Sequence, residues 1–346
     1  MKRLFYILFR GVHMNLRFPY MVHGLLMLIT PKCLYRHKRK LLLKHYETLD
    51  DKEKEYIDHR VNYYCKIPDR IVLADINEQL PNGKAPYQIK ELGDHTFRKK
   101  TSNTVYFFDT YEYTRYFPQH IKWLQIAGDV FYKLPAPAIT KSRLIPAKEE
   151  YANEVIINQD KIRHFCFIHD PITWEEKKTC VLFRGACHGK PRREIFLQKF
   201  IHHPLFDIKD TAKDSSNPPE WQQKKELSLY DHLEYRYIIA LEGNDVASNL
   251  KWIMSSNSIA VTPRHTVETW FMEGTLKPNY HYIEIKDDFS DLEEKLHYYL
   301  QHPQEAAAII QHAHEYIDQF RDKEREKLIQ LLVQKKYFDI TNTEHQ

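Results

Sequence analysis

The stretch YRYIIALEGNDVASNLKWIMSSN, Tyr235 to Asn257, decides how this chain is read. An apolar strand, Tyr235–Leu241, runs into the turn Glu242-Gly243-Asn244-Asp245, and a helix is predicted from about Asp245 to Ser255. A turn of this kind places backbone N–H groups and polar side chains at the carboxyl end of a buried strand. That is where open α/β folds bind phosphorylated ligands. Asp245 is positioned to cap the helix, Ala247 and Ser248 let a ligand approach its first turn, and Ser248 and Asn249 can donate to phosphate or sugar hydroxyls. Lys251 adds positive charge. A capped helix without a ligand would share part of this pattern, and the polar crowding at the end of an apolar strand favours the ligand.

Working outward, short apolar strands alternate with helical stretches. Cys180–Arg184, Phe206–Lys209, Ser258–Thr262 and His281–Ile285 read as strands, Pro191–Phe200 and Gln223–His232 as helices. A helical tail begins at Asp288 and breaks at His302-Pro303. Such alternation predicts a largely parallel sheet covered on both faces. In the amino-terminal half, helical pattern dominates to about residue 65, and Leu73 to Tyr87 reads as a loop. The runs Thr104–Phe108, Ile121–Ile126 and Ala138–Lys141 then read as strands, and the polar stretch Glu149 to Lys161 leads to the second half. Two Rossmann-like domains facing a cleft, residues 1–165 and 166–346, are the expected organisation.

Two more elements flank the opening stretch. In Val181-Leu182-Phe183-Arg184-Gly185, Arg184 ends a strand with a permanent charge able to hold two phosphate oxygens, and Gly185 permits a tight turn. Arg192 and Arg193 open the next helix, one expected to face the cleft and the other solvent. In Thr269 to Gly274, read as a ligand-flanking helix, Glu273 can accept from ribose hydroxyls, while Trp270 either packs on the ligand or fills the core.

Composition excludes several classes. Glycine is scarce at 9 and tyrosine plentiful at 23, and no glycine-rich nucleotide loop, G-x-S-x-G or H-E-x-x-H occurs. Five cysteines without a C-x-x-C pair argue for free thiols in a reducing compartment, and no dedicated metal site is indicated. The net charge of +4 is unevenly spread: ten Lys or Arg residues and no acid precede Glu47. Aromatic and apolar residues interleave them, as on a surface that rests on anionic lipid through residues 1–44. A solvated basic face or an arm packed on its own domain are the alternatives, and RNA binding has no stacking motif to support it. Arg10 and Arg17 interrupt any signal-like apolar core, and Gly24 to Thr30 is too short to span a bilayer.

Together EGNDVASNLKWIMSSNS, ETWFMEG, FRGACHGKPRR and AITKSR resemble glycosyltransferase family 90, over roughly Thr104 to Leu300. That family includes bacterial lipopolysaccharide-core glycosyltransferases, fungal capsule-associated proteins and animal protein O-glucosyltransferases. YIEIKDDFSDLEEKLHYYL, Tyr282 to Leu300, is similar to the bacterial branch. The resemblance implies a GT-B arrangement, a UDP-hexose donor held in the carboxyl-terminal domain, no cofactor or metal, and inversion at the anomeric carbon. Arg184, Gly185, Arg192, Arg193 and the turn carrying Gly243, Asn244, Asp245, Ser248, Asn249 and Lys251 would hold the diphosphate and sugar, with Trp270 and Glu273 at the nucleoside. It further implies a lipopolysaccharide-core acceptor and a cytoplasmic protein peripheral to the inner membrane. Animal members carry a catalytic Asp in an Arg-Asp-aromatic-Pro run, whereas this chain has Arg115-Tyr116-Phe117-Pro118. A phenol is a poor base at neutral pH, so Asp109, Glu112 or Asp129 is the candidate, with capping of a helix an alternative role for Asp109. A carbohydrate- or nucleotide-binding protein without turnover is the competing reading.

Overall fold

A computed structural model describes residues 17–68, 71, 73, 89–94, 104–146, 150–223 and 227–342. Most of the loop expected at Leu73 to Tyr87 and the first sixteen residues of the basic start lie outside these. The described chain forms two compact units. One comprises residues 17–162, 267–271 and 320–342, the other 163–266 and 272–319. The passage at 162/163 lies near the expected boundary, but the carboxyl-terminal helix belongs to the amino-terminal unit.

The amino-terminal unit opens with three helices: α1 (Arg17–Ile29), α2 (Lys32–Thr48) and α3 (Asp51–Tyr64). Asp50 caps α3 by accepting from the Glu53 N–H at 2.9 Å. The run expected as the strand Thr104–Phe108 is instead the start of helix α4 (Thr104–Thr114). Its aromatic content suits a strand locally, but Phe107, Phe108 and Tyr111 recur on one helical face and pack with Met27 of α1. Tertiary burial thus overrides local preference. Short strands flank α4: β1 (Lys90–Glu91) before it pairs antiparallel with β2 (Lys122–Trp123) after it, and β3 (Ala138–Thr140) pairs parallel with β5 (Glu154–Ile156), with β4 (Ser142–Leu144) between them in the chain. Of the strand expected at Ile121–Ile126 only β2 and a bridge from Gln125 to Ile139 form. The stretch expected to be a polar connection contains the buried β5.

The second unit holds the parallel sheet that the alternation predicts. Strand β6 (Lys178–Gly185) leads through α5 (Pro191–Phe200) to β7 (Phe206–Asp210). Helix α6 (Leu229–Leu233) precedes β8 (Tyr235–Ile239), and α7 (Leu250–Met254) precedes β9 (Ile259–Thr262). The chain next contributes β10 (Val267–Thr269) to the amino-terminal unit, antiparallel to β4. It returns for β11 (Ile283–Glu284), α8 (Leu292–Gln301) and α9 (Pro303–Asp318), and ends in α10 (Lys323–Thr341). The five strands lie in the order β11-β9-β8-β6-β7, all parallel. Val181, Phe183, Tyr237, Ile239, Ile259 and Val261 face one side and pack with Phe196, Leu197 and Phe200 of α5 and Leu292 and Leu296 of α8. The alternate residues Leu182, Ile238 and Ala260 are buried as well, so both faces are covered.

Strand order also defines a crevice. From β6 the chain moves outward to β7, then crosses back to lay β8 on the other side of β6. The connections leaving the carboxyl ends of β6 and β8 therefore diverge, and the crevice between them is a topological switch point.

Three expected helices differ. Of Gln223–His232, the described helix is α6, which begins only at Leu229 because Ser228 caps it. The stretch from Asp245 is non-helical until α7, a single turn starting at Leu250. Asp, Val, Ser and Asn are weak helix formers, and Val246 and Ala247 are both buried, which no amphipathic stripe would require. Asp245 therefore caps no helix, and Asn249 precedes α7 without a side-chain capping bond. Thr269 to Gly274 is likewise no α-helix: β10 ends at Thr269, Met272 takes a left-handed conformation (φ 55°), and one 3-10 turn spans Glu273–Thr275.

Candidate functional site

At the switch point, Arg193 on the first turn of α5 reaches between the ends of β6 and β8. Its guanidinium donates through Nη1 to the Ala186 carbonyl at 3.1 Å, and through Nη2 and Nε to the Leu241 carbonyl at 2.7 and 3.2 Å. Two glycines make room for it. A Cβ on Gly243 would stand 3.1 Å from Nη2, and one on Gly185 would stand 3.6 Å from Nη1 and 2.8 Å from the Phe183 ring. Burial lowers the Arg193 pKa from its ordinary value, although the group stays charged at any working pH. A planar cation is thus fixed in orientation where the sheet opens.

Around it lie further polar groups. Lys190, preceding α5, donates to the Asn244 side chain. Arg192 pairs with Glu242 at 3.4 Å and with Asp287 at 3.1 Å. Glu242 accepts from the Thr266 N–H at 2.8 Å and the Thr266 hydroxyl at 2.6 Å, joining the end of β8 to the loop after β9. His265 lies 4.0 Å from the same carboxylate, and burial drives its pKa down to about 4. Glu242, His265 and Thr266 were not singled out in the sequence. Glu242 lies within the decisive turn, so its position was visible there even though its role was not.

Gly185, Arg192, Arg193, Gly243 and Asn244 are thus gathered at one crevice, with Asp245 held beside it by the bond from the Gly243 N–H to its carbonyl at 2.8 Å. Half-buried Ser248 follows, and the Asn249 amide donates back to the Ile239 carbonyl at 3.1 Å. Four expected contact residues lie elsewhere. Arg184 shares the sheet face of Leu182 and turns back to Asp207, meeting its carboxylate at 2.6 Å and its carbonyl at 2.7 Å, so it braces β6 against β7. Lys251 and Glu273 form a fully enclosed ion pair at 2.5 Å. Trp270 is 1% exposed in the amino-terminal unit, stacked on Tyr64 at 3.9 Å with its indole N–H on Glu326 at 2.6 Å.

The three candidate bases lie in the amino-terminal unit. Glu112 pairs with Lys161 at 2.8 Å and Asp129 with Lys141 at 2.6 Å; the carboxylate side chains keep 26% and 27% of their exposure. Asp109, on the same helix as Glu112, is 1% exposed. It accepts from the Tyr20 hydroxyl at 2.9 Å and the Lys161 N–H at 3.1 Å. Burial pushes its pKa from 3.8 up to about 6, against the pull of Lys161. For Glu112 burial acts in the same direction, but Lys161 reverses it and the net shift is downward. Tyr116 is buried edge-on against Tyr35, unlike a residue offering its hydroxyl to a substrate.

Two predictions arise here. Gly243→Ala should displace the Arg193 fork and weaken binding of pyrophosphate, used as a probe of the crevice, about tenfold, read by calorimetry, with the melting temperature little changed. An Asp109 carboxyl that holds its proton better in the folded chain loses stability as pH rises from about 4 to about 6. At two pKa units this amounts to about 3 kcal/mol. His265 acts oppositely, costing stability as pH falls from 6.5 towards 4. Asp109→Asn should therefore remove only the first effect, raising the urea midpoint at pH 7.5 relative to the parent more than at pH 4.

Comparison with known proteins identifies the family. The family model described as glycosyl transferase family 90 matches residues 162–331. The O-glucosyltransferase LpsA of Dichelobacter nodosus is 35% identical over 321 residues, covering 93% of this chain and 94% of that protein. Protein O-glucosyltransferase 1 of Rattus norvegicus is 28% identical over 134 residues, 36% of this chain and 33% of its own. Its Homo sapiens counterpart is 26% identical over 153 residues, 42% and 38% respectively. With a relative 35% identical and matched almost end to end, and the family model matching its second half, the chain belongs to glycosyltransferase family 90.

Proposed function

We propose that this protein transfers a hexose from UDP-hexose to a hydroxyl of a lipopolysaccharide-core acceptor, with inversion and without a metal ion, in a GT-B arrangement. The observation that carries the reading is the Arg193 guanidinium, fixed between Gly185 and Gly243 where β6 and β8 diverge. A carboxylate takes the proton of the acceptor hydroxyl, the oxygen attacks the anomeric carbon, and the bond from that carbon to the diphosphate oxygen breaks. The departing diphosphate gains negative charge, which Arg193, Arg192 and Lys190 meet from fixed positions. Glu242 and the Thr266 hydroxyl oxygen offer acceptor groups for sugar or ribose hydroxyls. An acceptor built on lipid would place the protein at the cytoplasmic face of the inner membrane, and the D. nodosus relative's name, O-glucosyltransferase LpsA, is consistent with a glucose donor.

Glu112 and Asp129 keep partial exposure, so one of them serves as base in this reading and Asp109 positions helix α4. The test compares Glu112→Gln, Asp129→Asn and Asp109→Asn by kcat for transfer and by UDP affinity. The base is the residue whose amide abolishes kcat and leaves UDP affinity intact. Full transfer by both Glu112→Gln and Asp129→Asn would overturn the assignment. A wild-type protein that binds UDP yet transfers nothing from UDP-hexoses to lipopolysaccharide cores would instead establish a non-catalytic binding role.

A further inference from the structure

Helix α1 is fixed to the amino-terminal unit by one side. Gly24 lies so close to the Phe108 ring that a Cβ would fall 2.8 Å from it, Met27 is 3% exposed, and the Tyr20 hydroxyl bonds the Val105 carbonyl and Asp109. Among the described residues, the opposite side is apolar and uncovered. Phe18 is 80% and Ile29 76% exposed, and Val22, Leu25 and Leu26 are exposed between them. At 100° per residue these five side chains fall within an arc of about 100°. An apolar stripe of that width on a helix would normally face a core, yet here it faces outward.

The charge around it identifies what covers it. Helix α2 follows α1 after Thr30 and Pro31, and exposes Arg36, Lys38, Lys40 and Lys44 together with Leu34 and Leu41. No acidic residue occurs before Glu47. Two copies of the chain meeting through this region would bring like charges together, which disfavours self-association. An anionic bilayer satisfies both features, since acyl chains take up the apolar stripe and headgroups the cations. At 13 residues α1 is about 20 Å long, and no described helix is long and apolar enough to cross a membrane.

We infer that α1 lies in the plane of an anionic lipid surface, inserting Phe18, Val22, Leu25, Leu26 and Ile29 among the acyl chains while α2 supplies the charge. This deepens the membrane part of the reading above by naming the surface and its apolar anchor. Binding is measured without donor or acceptor, so its outcome is separate from that of the transfer assay.

The experiment is flotation of the full chain with phosphatidylcholine vesicles, with and without phosphatidylglycerol. Leu25→Asp combined with Ile29→Asp is expected to reduce partitioning to the anionic vesicles by about 100-fold, because two exposed apolar anchors are lost. Arg36→Glu with Lys40→Glu should abolish the preference for phosphatidylglycerol. A second readout avoids dependence on these variants: Ile29→Trp should shift its added emission to the blue on vesicles and be quenched by brominated acyl chains. Unchanged partitioning of the aspartate variant, or an Ile29→Trp emission indifferent to vesicles, would overturn the proposal. Loss of a dimer by the aspartate variant with vesicle binding intact would assign the stripe to a second copy and overturn it as well.

Discussion

Arg193→Lys is expected to lower sugar transfer by about 10²- to 10³-fold, the cost of removing one preorganised donor from a developing charge, or about 3–4 kcal/mol. The charge survives in this variant, but the fork does not. A lysine ammonium cannot bond the Ala186 and Leu241 carbonyls at once and still present a planar face to a diphosphate. The loss should appear in kcat/KM and in a weaker affinity for UDP, whereas the unfolding midpoint should move little because Arg193 is half-buried. Arg184→Lys is the contrasting variant. Its partner is Asp207, so its effect should fall on stability rather than on UDP affinity. Equal loss of UDP affinity in both variants would mean that Arg193 has no special place.

The second large effect is on stability. Arg143 and Glu268 are both fully enclosed, paired at 2.7 Å across β4 and β10. The arginine also donates to the Tyr63 carbonyl at 2.7 Å and the Tyr64 and Glu154 carbonyls at 3.3 Å, and the Tyr63 hydroxyl donates to Glu268. Glu268→Ala leaves a buried guanidinium without its counter-charge, which should cost about 3–5 kcal/mol in urea unfolding monitored by a probe in this unit. Replacing the pair together, Arg143→Met with Glu268→Leu, should recover most of that loss, since neither charge then remains to be compensated. A double variant as unstable as the single one would show that the carbonyl bonds of Arg143, rather than its charge balance, hold the strands.

The second unit was the more legible half of this chain. Pro191–Phe200 is a helix with the expected limits, and β6 and β8 start within two residues of their expected positions or at them, because alternating buried residues and a Pro at the helix start are local signals. The amino-terminal half was harder to read. The TVYFF run at the start of α4 carries β-favouring residues, and only its packing against α1, more than seventy residues earlier in the chain, makes it helical. Trp270 and Glu273 are three residues apart yet lie in different units, a division that no spacing rule reveals. For Arg184 the signal was present: strand parity puts it on the face of Leu182, and the register sets Asp207 opposite that leucine.

The division of the chain also bears on its synthesis. Neither unit is continuous: the path passes from one to the other at residues 162, 266, 271 and 319. Helix α10 supplies the amino-terminal unit with Leu328, Ile329, Leu331 and Phe338, the Tyr337 hydroxyl that accepts the Leu124 N–H, and the Glu326 partner of buried Arg60. The residues of α10 must therefore leave the ribosome before the part made first can close its core, while the parallel-sheet unit has its described residues once residue 319 has emerged. The later-made unit can mature first, leaving the earlier one with exposed apolar surface until α10 arrives.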